Sequence, residues 1–135
     1  MRQILLLIMI AFLSVNCGAD PKVEEKKCVE ETYKEIRKAT KEFGDAEINS
    51  IDEVTSSVST YLNVFKELNL DNCPADYKHE IMKMQDELNS ILALINSGEK
   101  GKAAAEKYRE LTEINAETGQ KIEELATSYG VNVDD

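Results

Sequence analysis

A chain of 135 residues, 42% hydrophobic and 31% charged, has room for one compact domain, and with only six Gly and two Pro it lacks the turn residues of a many-stranded β fold. Acidic residues outnumber basic ones 26 to 16, and a formal charge of −10 repels phosphate backbones, so no nucleic-acid partner is expected. One His and three Cys leave little material for metal or nucleophilic chemistry.

Arg2 carries the positive charge of the amino end, and Ile4 to Val15 is apolar apart from Ser14. That run is about a dozen residues, the length of a signal-peptide core and too short to cross a bilayer. A buried core helix fits poorly, because Ile4 to Leu13 has no polar face to meet water. Residues 1–16 are therefore expected to be an export signal.

Leu13-Ser14-Val15-Asn16-Cys17 resembles a bacterial lipobox. The usual pattern has Leu three residues before the Cys and Gly or Ala just before it. Here Leu13 stands four before Cys17 and Asn16 takes the last place, similar to the looser lipoboxes of spirochaetes and some Bacteroidetes. The resemblance implies lipidation of Cys17, a tether over residues 17–22 and membrane attachment through the lipid. The alternative is ordinary signal-peptidase cleavage after Cys17 or Ala19, which yields a secreted protein. Either route uses up or removes Cys17. Cys28 and Cys73 then remain, an even number for an oxidising compartment.

Beyond the tether, apolar residues recur at helical spacing. Val29, Thr32, Ile36, Ala39 and Phe43 form a stripe that Tyr33 broadens, and Gly44-Asp45 reads as a C-cap followed by an N-cap. Ile48, Ile51, Val54, Val58, Tyr61, Leu62, Phe65 and Leu68 mark a second helix. Its Ser- and Thr-rich middle has low helix propensity, and packing must hold it. After a break over Asn69 to Cys73, Pro74 suits a first helical position. Tyr77, Ile81, Met84, Leu88, Ile91 and Ile95 then alternate spacings of four and three, the clearest heptad of the chain. Ser97-Gly98 ends that helix. A fourth, from Lys102, carries Ala104, Tyr108, Leu111, Thr118, Ile122, Leu125 and Tyr129 and closes at Gly130. Residues 131–135 read as a frayed acidic tail.

Four helices joined by short loops predict an all-α, antiparallel up-down four-helix bundle over residues 23–130, preceded by a cleavable signal helix. Cys28 near the start of the first helix and Cys73 at the start of the third then fall at one end. A Cys28–Cys73 disulfide is expected, with Cα atoms within about 7 Å and a contribution of about 3–4 kcal/mol.

The reactive constellations are thin. His79-Glu80 begins a zincin-like string, but Lys83 stands where a second His is needed. Asp76 and His79 have the i, i+3 spacing of di-metal bundles without the second such pair. No haem-attachment, phosphate-loop, EF-hand or Ser/His/Asp pattern is present, so the expectation is no enzyme, no metal and no cofactor. Thr55, Asn115 and Thr118 sit at mid-height of the second and fourth helices. They read either as hydroxyls bonding back to their own helices or as a polar layer that fixes register or lines a small ligand cavity.

The function expected from these features is an exported lipoprotein of the cell envelope, periplasmic or surface-exposed. Its acidic bundle would serve contact with a protein partner, or envelope structure. The alternative is a secreted soluble carrier of a small apolar ligand or lipid in the bundle core. Protein contact predicts a filled core and an exposed apolar patch. A carrier predicts a closed apolar cavity of roughly 300 Å³ or more.

Overall fold

The computed structural model describes residues 20–47 and 49–133, so the signal segment and Cys17 lie outside the described residues, as does Ile48. The chain forms α1 (Pro21–Gly44), α2 (Ile51–Glu67), α3 (Ala75–Asn96) and α4 (Lys102–Ser128).

Each boundary has a local cause. Asp20 accepts from the Lys22 N–H at 3.1 Å and Pro21 takes the first helical position, so α1 begins within the expected tether. Asp45 ends α1 and does not start the next helix. Its N–H donates to the Lys41 carbonyl at 2.9 Å. Ser50 caps α2, because only there is the cap reciprocated. The Ser50 hydroxyl accepts from the Glu53 N–H at 3.2 Å, while the Glu53 carboxylate accepts from the Asn49 and Ser50 N–H groups at 2.6 and 3.1 Å. Ile51, expected on the apolar face, thereby falls in the first turn and is 63% exposed. Pro74 is the N-cap of α3, one position earlier than read from the sequence.

Gly130, at φ +77°, adopts the left-handed conformation that stops α4, and the Val131 N–H bonds back to the Ala126 carbonyl at 3.0 Å. That turn buries Val131. Two residues on, the Arg37 guanidinium donates to the Val133 carbonyl. Residues 131–133 are therefore docked where fraying was expected, since Val131 has apolar surface to bury against the core.

Contacts at one end establish the order of the helices. The Cys28 and Cys73 Cα atoms are 5.1 Å apart and the pair is bridged. The Tyr129 hydroxyl donates to the Asp76 carboxylate at 3.0 Å. The starts of α1 and α3 and the end of α4 thus meet, next to the Asn69 carbonyl that follows α2. Neighbours run antiparallel, giving the up-down-up-down bundle. α3 packs against both α2 and α4, whereas the seam that closes the ring, α1 against α4, is the thinnest of the four.

The heptad of α3 faces the core, with Tyr77, Ile81, Met84, Leu88 and Ile91 all buried. Val29, Ile36, Val58, Leu62, Phe65, Ile122 and Ala126 pack around it. The first half of α4 is looser: Tyr108, expected on the inner face, is 38% exposed.

Burial pushes the Tyr77 phenol up from 10.0 to about 12, partly offset by the Thr32 hydroxyl at 3.4 Å and reinforced by Tyr33. The unfolded chain ionises this group first. The stabilisation is whole below pH 10 and is lost as pH rises toward about 12. Urea midpoints measured upward from pH 9 should report a loss on the order of 2 kcal/mol across that window, and Tyr77→Phe should flatten this part of the profile.

Candidate functional site

Two features bring polar or concave surface to the middle of the bundle. The first is a polar layer between α3 and α4. Glu87, only 9% exposed, accepts from the Thr118 hydroxyl at 2.8 Å and from the Asn115 amide at 3.4 Å. Lys83 lies 3.8 Å from the same carboxylate. Asn115 also reaches the Met84 sulfur. Asn115 and Thr118 are thus brought together, but by α3. Thr55 stands apart, donating to the Ile51 carbonyl at 2.9 Å within its own helix. Glu87 was not singled out from the sequence, where a Glu four residues after Lys83 has the spacing of a surface ion pair. The available signal was its place beside Leu88 on the flank of the heptad. Both carboxylate oxygens of Glu87 thus have partners, and the layer ties α4 to α3 at this height.

The second feature is a cleft of about 720 Å³ in the α1–α4 seam. Its α1 wall carries Ile36, Arg37, Thr40 and Lys41, its α4 wall Asn115, Ala116, Gly119, Ile122 and Glu123, and Tyr61, Phe65 and Met84 reach it from the other two helices. The seam is open to solvent, so the cleft is not the closed cavity expected of a carrier. Its floor is ordered by aromatic packing: Phe43 stacks on Tyr61 with centroids 5.2 Å apart, and Tyr61 meets Phe65 edge-on at 5.1 Å. The Tyr61 and Thr40 hydroxyls share a 2.9 Å hydrogen bond. Burial pushes the Tyr61 phenol up despite that bond, which leaves the ring a neutral, amphipathic part of the floor.

The cleft offers apolar surface and a few polar groups at its edge, the composition of a binding site. Among the described residues no three His, Cys, Asp or Glu side chains group as metal ligands, and His79 is exposed. Compared with protein-family models, curated proteins and solved structures, the chain matches none.

Proposed function

We propose that this chain is an exported protein of the bacterial cell envelope, lipid-anchored through Cys17, whose bundle is a non-enzymatic binding module for an apolar ligand. The observation that carries the binding reading is the α1–α4 cleft. It is an open groove and not the enclosed cavity first expected, but it has the volume of a small-molecule site and an aromatic floor that a ligand can reach from solvent. Exposed apolar side chains such as Val23, Ile51 and Met82 lie on different helices, which favours ligand over protein contact as the main role. The apolar run Ile4 to Val15 supports export.

Native mass spectrometry of the protein purified from its own cells tests the binding reading. A co-purifying lipid-like mass is expected. Bare protein that instead elutes with a stoichiometric protein partner would overturn the carrier role. Labelling with a palmitate analogue tests the anchor, and label that persists in Cys17→Ala would remove it.

A further inference from the structure

We infer that the α1–α4 cleft takes a single-chain anionic amphiphile, its hydrocarbon part on the aromatic floor and its acidic head against Arg37 and Lys41. The inference rests on the binding reading above and adds the charge and shape of the ligand. Gly119 lies in the interior of α4, where Gly costs about 1 kcal/mol relative to Ala. Its backbone is not left-handed, and a Cβ there would meet only the Met84 methyl, at an ordinary 3.7 Å. Neither conformation nor packing requires glycine. Its missing side chain holds open the cleft, with Ala116 one turn earlier on the same wall.

The charges at the edge point to the sign of the head group. Lys27, Lys38, Lys83 and Lys102 each meet a Glu four residues on. Arg37 is followed at that spacing by Lys41, an unfavourable like-charge pair, and both line the cleft. Among the described residues neither joins an ion pair. In a chain of formal charge −10, Glu123 is the one acid lining the cleft among the described residues. Arg37 holds the Val133 carbonyl through one nitrogen and keeps further donors for an anion. Along α1 the cleft runs from Tyr33 to Phe43, about 15 Å at the helical rise, an elongated shape that suits an extended chain.

The test uses the chain with Cys17→Ala, stripped of lipid and titrated with cis-parinaric acid, whose polyene fluoresces in apolar surroundings, and with its uncharged methyl ester. The acid is expected to bind at least about tenfold more tightly than the ester, a difference of about 1.4 kcal/mol. Arg37→Gln and the exposed Lys41→Gln should each weaken the acid about three- to tenfold and leave the ester unchanged. The Lys41 variant, which leaves the Arg37–Val133 bond in place, keeps the charge test separate from the loss of that bond. Gly119→Leu should remove binding of both while the thermal midpoint holds or rises. Equal affinities that neither charge variant alters would overturn the anionic head and leave the carrier reading standing. Binding of neither ligand would overturn both, and undiminished binding in Gly119→Leu would overturn the cleft as the site.

Discussion

Phe65→Ala should destabilise the bundle by about 3–5 kcal/mol, the range for truncating a fully buried Phe. The ring is 0% exposed, stands edge-on to Tyr61 and belongs to the core that α2 presents to α3. Truncation removes its contacts and leaves a void that helices pinned on both sides cannot close. The Phe65 carbonyl accepts from the Gln85 side chain at 2.8 Å, and that backbone bond survives the substitution. The loss is therefore one of packing. Because the ring also borders the α1–α4 cleft, some of the new space opens to water, which favours the lower half of the range. Set against a total stability of about 5–15 kcal/mol, the variant should remain folded at room temperature with a much lower urea midpoint. Phe65→Leu, nearer in volume, should cost less than about 1.5 kcal/mol. A cost for Phe65→Ala below about 1 kcal/mol would mean that the floor collapses freely and is not a packed wall.

Removing the Cys28–Cys73 bridge should cost about 3–4 kcal/mol and lower the thermal midpoint by roughly 10–20 °C without abolishing the helices. The bridge closes a loop across a sequence separation of 45, spanning most of α1 and all of α2. Its main effect is on the unfolded chain, which regains that freedom when the sulfurs separate. In the folded state both cysteines are buried, at 8% and 6% exposure, beside Tyr77 and Thr32. Reduced thiols in that setting behave as small apolar groups, so the native packing tolerates them. Denaturation with and without reductant, read by far-ultraviolet circular dichroism, separates the two states. An identical midpoint in Cys28→Ala would show that the bridge does not form in solution.

Local patterns carried much of the fold. The apolar spacing of α3 is legible because that helix buries one continuous face, and any helix periodic in that way must do so. The disulfide followed from helix order, since an even number of passes returns the chain to the same end. Gly130 was readable as a stop because its conformation is a one-residue requirement. Legibility failed where two local signals competed. Asp45 and Ser50 are both good caps, and Ser50 prevails through Glu53, three residues on. Tyr108 shares the spacing of α4 yet stays 38% exposed, because periodicity marks a face without saying whether another helix covers it.

Composition and spacing were thus enough to specify four helices, their antiparallel order and the bridged pair, because each depends on neighbours along the chain or on counting passes. The polar layer and the cleft arose only in three dimensions. Glu87 became buried because α4 settles more fully on α3 than on α1, drawing Asn115 and Thr118 to the α3 side. The same preference leaves the α1–α4 seam open, and there Gly119, an unremarked breaker in a helical sequence, becomes part of a cleft wall. How far apart the first and last helices stand is the resultant of packing on all four seams, a quantity that no window of consecutive residues contains.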